Sequence, residues 1–341
     1  MKRVTISDIA SACNVSTSTV SLILNNKSDS FSEETKKRVL ETAAHLNYKT
    51  SPMRESEGNK RLALLLPEFQ DYLNIRLLNE IEKQAFHSGY SLVLGNSNLS
   101  VVNEIFYINI FRKQKVNGIF MLKSEISQSV IQERLLREAI HITDIPLIKL
   151  VRDIPSIRAP FYEFDDEFGA FIGTKYLLDL GHRKIGFLTE SHSLSTTQHK
   201  ITGVTNCLTQ FNLPLDTTFF YEGFSSINSG KRAYDYFENR GITAIFSFTD
   251  IMALGYYKMA RERNKVIPKD ISLLGYGDSP CCEYLDTPLS TISLPAKAMA
   301  KDAVAEIIAL KSNQIPMDFT KAQFKPALII RESTAPPSGQ F

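Results

Sequence analysis

The stretch VSTSTVSLILNN, residues 15–26, holds five hydroxyl side chains in its first seven positions and ends in two asparagines. Ser16 is placed to cap a helix whose inward face is Val20, Ile23 and Leu24. Ser18, Ser21, Leu22 and Asn25 fall on the opposite face, with Thr17 beside them at the N-terminal tip. A helix that only packed into a core would not need so many small polar side chains. Upstream, Thr5 precedes apolar positions Ile6, Ile9, Ala10 and Cys13, the spacing of a short helix. Thr5 is a good N-cap, Asp8 can complete a capping box, and Asn14 suits a left-handed turn. Downstream, Ser32 opens a third helix with Glu33 and Glu34 in its first turn, where the dipole favours acids. Its expected core face is Val39, Leu40, Ala43 and Leu46, and Asn47 could end it. Three short helices with a tight turn between the first two form a helix-turn-helix candidate. In that motif the second helix enters the major groove of DNA. A three-helix protein-binding domain with a polar outer face fits the same pattern.

Charge does not decide between the two. Residues 1–50 contain Lys2, Arg3, Lys27, Lys36, Lys37, Arg38 and Lys49 against Asp8, Asp29, Glu33, Glu34 and Glu41. The whole chain of 341 residues carries a net charge of +2, so any nucleic-acid footprint is local. Hydrophobic content of 43% and charged content of 22% describe a globular protein long enough for two or three domains. No apolar run approaches the roughly 18 residues of a membrane span, and MKRVTISDIA lacks a signal-peptide core, so a cytoplasmic location is expected. Cys13, Cys207, Cys281 and Cys282 form no CxxC pair, which points to buried or loop thiols.

SPMRESEGNKR, residues 51–61, is polar, lacks an apolar period and contains Pro52 and Gly58, so it reads as a linker. Beyond it, RLALLLPEF, SLVLG, GIFML, PLIKLV, KIGFL, AIFSF and SLLGY alternate with amphipathic stretches such as VIQERLLREA and IMALGYYKMARERN. That alternation predicts parallel sheets covered by helices on both faces, with about ten strands divided between two lobes. Enzyme signatures are missing: there is no P-loop, GxGxxG, HExxH or GxSxG. His182, after Gly181, reads as a neighbour of a helix C-cap. Asp165 and Asp166 read as caps of a following helix rather than a metal pair.

VTISDIASACNVSTSTVSLILNN followed by SEETKKRVLETAAHLNY resembles the N-terminal domain of the lactose-repressor and purine-repressor family of bacterial transcription regulators. LLDLGHRKIGFL, IFSFTDIMALGYYKMARERNKVIPKDISLLGYGDSP, DTPLSTIS and IIREST extend the resemblance over nearly the whole chain. It implies a helix-turn-helix head (residues 1–50), a hinge (51–61) and a two-lobed domain of the periplasmic-binding-protein type (62–341). The lobes would be 62–161 plus 292–323, and 162–291 plus 324–334, with crossings near Phe161, Thr291 and Phe324. For the head it implies base readout by Thr17, Ser18 and Leu22, and backbone contacts from Thr5, Ser16, Ser21, Asn25, Ser32, Thr35 and Tyr48. Position 22 is usually arginine in the family; leucine offers only apolar contact, for instance to a thymine methyl. The hinge usually wedges a leucine into the minor groove. Here Glu57 stands at that position and Glu55 at a preceding arginine position, so either the hinge docks differently, with Arg54 and Lys60 near phosphates, or it does not fold as a helix.

Ligands of such domains bind in the crevice between lobes, at the carboxyl ends of strands. Gln70 and Asn74 follow the first strand, and Arg152 follows LIKLV. The family's pocket arginine aligns with Lys200, which keeps the charge but loses the bidentate fork. The Asn-Asp pair aligns with Thr249 and Asp250, and an aspartate that commonly holds sugar hydroxyls aligns with Gly277, leaving Asp278. Two cations and a missing acid suggest an anionic or phosphorylated sugar rather than a neutral one. The whole reads as a metabolite-controlled DNA-binding regulator, most often a repressor. It would act on a palindromic operator as a homodimer, because two half-sites need two reading helices at fixed spacing. No cofactor is implied, and the tail TAPPSGQF lacks the heptads of a coiled-coil tetramer. A secreted-type solute receptor and an α/β enzyme with an appended helical domain are the alternatives.

Overall fold

The computed structural model describes residues 4–24, 31–46, 48, 60–69, 71–122, 130–312 and 321–338. The chain divides into two compact units, residues 1–59 and 60–341. In the first unit α1 spans Ile6–Cys13, α2 Thr17–Leu24 and α3 Glu33–His45. Thr5 caps α1 through the expected capping box: its hydroxyl accepts from the Asp8 N–H while the Asp8 carboxylate accepts from the Thr5 N–H at 2.7 Å. Asn14 ends the helix at φ 52, ψ 48, and the Val15 N–H returns to the Ala10 carbonyl at 3.0 Å. That left-handed residue turns the chain within three positions, so α2 packs across α1. Ile9, Val20, Ile23 and Val39 meet in the middle, each at most 2% exposed.

The third helix departs from the expected pattern. Val39 and Ala43 are buried, but Leu40 is 52% and Leu46 37% exposed. One residue is 100° of helix turn, so Leu40 cannot share the stripe that Val39 and Ala43 occupy. Leu46 stands at the C-cap, outside the helix. Asn47 lies outside the described residues.

The second unit runs β1 (Arg61–Leu66), α4 (Tyr72–His87), β2 (Ser91–Asn96), α5 (Val101–Lys113), β3 (Gly118–Met121), α6 (Val130–His141), β4 (Leu147–Leu150) and β5 (Phe161–Phe164). It continues through α7 (Asp166–Asp179), β6 (Ile185–Thr189), α8 (Ser195–Gln210), β7 (Phe220–Glu222), α9 (Ile227–Phe237), β8 (Ala244–Ser247), α10 (Asp250–Glu262) and β9 (Ser272–Gly277). It closes with β10 (Ser290–Ser293), α11 (Ala296–Lys311), β11 (Lys321–Phe324) and β12 (Ala327–Ile329). Two six-stranded sheets result, ordered β2-β1-β3-β4-β5-β11 and β7-β6-β8-β9-β10-β12. All pairings are parallel except β10 with β12. Central strands are buried on both faces, which is why RLALLL and AIFS read as continuous apolar runs.

The first changeover between sheets falls later than Phe161, because Phe161–Phe164 is still a strand of the first sheet. The chain leaves after Phe164, returns after Ser293 and crosses a third time between Phe324 and Ala327. Both sheets reverse strand order at the same point, between β1 and β3 and between β6 and β8. In such doubly wound sheets the crevice outside the carboxyl ends of those strands is where ligands lie.

Candidate DNA-reading face and effector cleft

On α2 the outward residues Thr17 and Ser18 are exposed, Leu22 is 39% exposed and Ser21 half-buried. Val20 and Ile23 hold the opposite face at 0% and 2% exposure. Ser16 Oγ accepts from the Thr19 N–H at 3.1 Å and lies 2.7 Å from Ser18 Oγ, so the hydroxyls form a connected cluster at the helix N-terminus. Ser32 caps α3 through the Thr35 N–H, and Thr35 Oγ1 is 2.9 Å from Ser32 Oγ. Tyr48 packs against the head core and bonds its N–H to the Ala43 carbonyl at 2.8 Å. The surface so built is polar, small and weakly charged, suited to hydrogen bonds with bases and phosphate oxygens. Asn25, Arg54, Glu55, Glu57 and Gln70 lie outside the described residues.

In the second unit, the carboxyl ends of the strands bring Glu68, Arg152, Glu190 and Thr249 to the crevice. Arg152 is presented by an unusual turn. Its N–H bonds to the Leu150 carbonyl at 2.8 Å across Val151, which sits at φ 67. This is the rare γ-turn with a left-handed central residue, more strained still for a β-branched side chain. Such strain concentrates at functional sites.

Lys200 is not a solvated surface cation. It is 6% exposed, donates to the Phe248 carbonyl at 3.2 Å and stands 4.2 Å above the centre of the Tyr276 ring. The Tyr276 hydroxyl donates to Asp166 Oδ1 at 2.6 Å. Asp166 therefore serves the cleft wall, whereas Asp165 is the cap of α7 as expected, accepting from Phe168 N–H at 3.0 Å. Asn74 is buried on α4 and donates to the Glu68 carbonyl at 3.0 Å. Thr249 caps α10 through the Met252 N–H.

Two aligned acids are committed elsewhere. Asp278 is bound to Arg331 at 2.9 Å. Asp250 accepts from Ser279 N–H at 2.7 Å, Ser279 Oγ at 2.9 Å and Thr291 Oγ1 at 2.7 Å. Gly277 sits at φ 129, and a Cβ there would meet Asp250 Oδ2 at 3.2 Å. Its carbonyl accepts from Arg76 Nη1 at 3.2 Å, a bond from the first lobe to the second. Gly277→Asp is therefore expected to destabilise this unit by about 1–3 kcal/mol, combining backbone strain with a second carboxylate beside Asp250. Chemical denaturation would check this; an unchanged midpoint would refute it.

Four acids of the cleft were not read as ligand groups from sequence: Glu68, Asp71, Asp166 and Glu190. Burial raises the Glu190 pKa, opposed by the positive charges of Lys200 and Arg152 and reinforced by Asp71 and Asp166. Burial likewise raises Glu68, with Asp71 adding and Arg152 opposing. The available signal was position: each glutamate stands two residues after the last leucine of a strand at a switch point. A hollow of about 260 Å³ lined by Glu68, Phe69, Asn96, Asn98 and Leu99 adjoins the ends of β1 and β2. His182 is structural. Its Nδ1 is 2.8 Å from Thr243 Oγ1 and its Nε2 is 2.9 Å from the Ala335 carbonyl, tying the C-terminal segment to the second lobe. Burial lowers its pKa.

Residues 5–51 match the family described as bacterial regulatory proteins, lacI family, and residues 174–334 match the periplasmic binding protein-like domain. The chain is 28% identical over 337 residues to the HTH-type transcriptional repressor PurR of Vibrio vulnificus, covering 96% of this chain and 98% of that one. The solved transcriptional regulator CelR–cellobiose complex superposes with a TM-score of 0.71 at 21% identity, covering 97% of this chain and 100% of that one. The lac repressor dimer bound to operator and the anti-inducer ONPF gives 0.71 at 23% identity, with 98% and 100% covered. At those identities the structural likeness shows the fold alone. Among the described residues, no helix is long and apolar enough to cross a membrane. With a helix-turn-helix head of that family joined to a periplasmic-binding-protein-like domain, the chain belongs to the LacI family of DNA-binding transcription regulators.

Proposed function

We propose that this regulator is a cytoplasmic repressor that binds a palindromic operator as a homodimer and is switched by a small metabolite held between its lobes. The observation that carries the DNA reading is α2: a helix with a buried apolar stripe and an exposed face of Thr17, Ser18 and Leu22. Those three residues read base edges, and Thr5, Ser16, Ser21, Asn25, Ser32, Thr35 and Tyr48 contact the backbone, with Arg54 near phosphates in the hinge. Repression follows the reading of PurR, and a metabolite in the cleft follows the cellobiose bound by CelR. Support for a dimer comes from the exposed apolar side chains Leu94 on edge strand β2 and Val102 and Phe106 on α5, a surface that favours pairing. Gln70, Asn74, Arg152, Lys200, Thr249 and Asp278 form the proposed ligand set. The ligand acts by favouring one closure of the lobes and hence one spacing of the two heads.

A gel shift on the protein's own upstream DNA tests this reading. Binding that rests on phosphate contacts weakens steeply as salt rises. A shift insensitive to salt, or none with or without cell metabolites, counts against it. Leu22→Arg is expected to move the preferred half-site toward guanine by about 1–3 kcal/mol at one position. Unchanged preference in a binding-site selection would show that residue 22 does not read bases.

A further inference from the structure

The loop after β9 is fixed by bonds within the second lobe. Tyr276 donates its hydroxyl to Asp166, Asp278 is paired with Arg331, and the Ser279 N–H and hydroxyl are held by Asp250. Gly277 and Asp278 are consecutive left-handed residues, at φ 129 and φ 57. Such backbone persists only where its surroundings over-determine it, so the direction of the Gly277 carbonyl is preset. Gly277 lies in register with Ser293, the last residue of β10 before the chain returns to the first lobe. The carbonyl therefore stands beside a crossing, and there it accepts from Arg76 Nη1 of the first lobe at 3.2 Å. Arg76 is half-buried on α4, and Tyr72 one turn earlier shares its face. Burial raises the Tyr72 pKa, with Arg76 opposing and Asp278 of the second lobe adding, so the start of α4 runs along that loop. Among the described residues Arg76 makes no ion pair, and its hydrogen bond goes to the main chain of the other lobe. A bond from a charged guanidinium to a preset carbonyl is among the stronger kind.

We propose that Arg76 is a positioning residue: its bond to the Gly277 carbonyl braces the crossing after β10 and selects one angle between the lobes. Both halves of the bond belong to the chain, so the brace works whether or not the cleft is filled. A bond beside a pivot acts on the angle, because any rotation of the second lobe carries the carbonyl away from a donor fixed on α4. Gly277 suits the role because a backbone acceptor in a left-handed turn cannot swing as a side chain does. A ligand that needs the braced angle then finds it already populated, and less of its binding is spent on closing the lobes.

The test measures the angle between the lobes in the full-length protein by electron-spin distance measurement, with no effector added. Lys113 and Asn239 are exposed and lie just before β3 and β8, at the ends of the two lobes remote from the crevice, where a small rotation is magnified. Spin labels go on Lys113→Cys and Asn239→Cys in a Cys281→Ser background, since Cys13, Cys207 and Cys282 are buried. Labelled protein is mixed with excess unlabelled protein, so that each measured pair lies within one chain. One narrow distance is expected with Arg76 in place. Arg76→Met, of similar length but without donors, should broaden it and lower the odds of the original distance by about tenfold or more, the loss of a charge-assisted bond. Arg76→Gln, too short to reach the carbonyl, should do the same, and it stands in if the methionine variant folds poorly. The proposal is overturned if the distance distribution is unchanged in these variants, or if it is already broad with Arg76 in place. Neither effector nor operator enters the measurement. A failure here leaves the regulator reading standing, and a failed gel shift leaves the brace standing.

Discussion

A Val20→Asp variant is expected to lose operator binding completely while the effector domain stays folded. Val20 is 0% exposed at the centre of the head, against Ile9, Ile23 and Val39. A domain of this size has only about 2–7 kcal/mol of stability on the usual per-residue scale. Removing a buried valine forfeits about 2 kcal/mol, and an unpaired carboxylate in its place adds a desolvation cost of several more. The sum exceeds what the head possesses. The residues at 60–341 form their own compact unit with separate cores, so their unfolding transition should not move. Gel shift and calorimetry on the same preparation read both halves of the expectation. Retained operator affinity would mean that α2 is not the reading helix or that Val20 is not in its core.

The second large effect is at Asp250. Asp250→Ala is expected to cost about 3 kcal/mol or more, whereas Asp250→Asn should stay within about 1 kcal/mol of the parent. Alanine strands the Ser279 N–H and two hydroxyl donors inside the second lobe. Asparagine can keep its oxygen toward Ser279 and turn its amide toward Thr291, whose hydroxyl rotates to accept. Burial raises the Asp250 pKa despite the bonds from Ser279, Thr291 and Cys282. The sign follows: the ionised form is disfavoured in the folded state, so wild-type stability falls as pH rises from the unfolded value of 3.8 toward the raised folded value. Asp250→Asn should flatten that segment of the profile. Denaturant midpoints between pH 3.5 and 8 measure both effects, and equal costs for Ala and Asn would refute the bonding scheme.

Much of the architecture was legible because its signals are local. Thr5 with Asp8, Asn14 and Ser32 announce helix ends by side-chain chemistry that acts within three residues. RLALLL and AIFS announce buried strands by composition alone. What failed depended on neighbours distant in sequence. Leu40 looks apolar but faces outward, off the stripe that Val39 and Ala43 bury among the described residues of the head. Nothing local announces that Asp278 pairs with Arg331, 53 residues later. Nor does anything local announce that Lys200 lies over the Tyr276 ring. Glu190 was passed over because an acid after a strand usually reads as solvated; here it is half-buried just beyond β6.

The order in which strands join the sheets bears on synthesis. Each lobe takes a strand from the stretch that follows α11: β11 completes the first sheet and β12 the second. Ser333 then stitches that stretch to β9, its carbonyl accepting from the Leu273 N–H at 2.8 Å. Neither lobe can close until β11 and β12 have been made. The head is complete by Tyr48, and the chain from there to β12 takes on the order of 15–60 s to make. A nascent polypeptide thus owns a finished head well before it owns a finished sensor, and chaperones that hold the incomplete lobes act on a chain whose head is already folded.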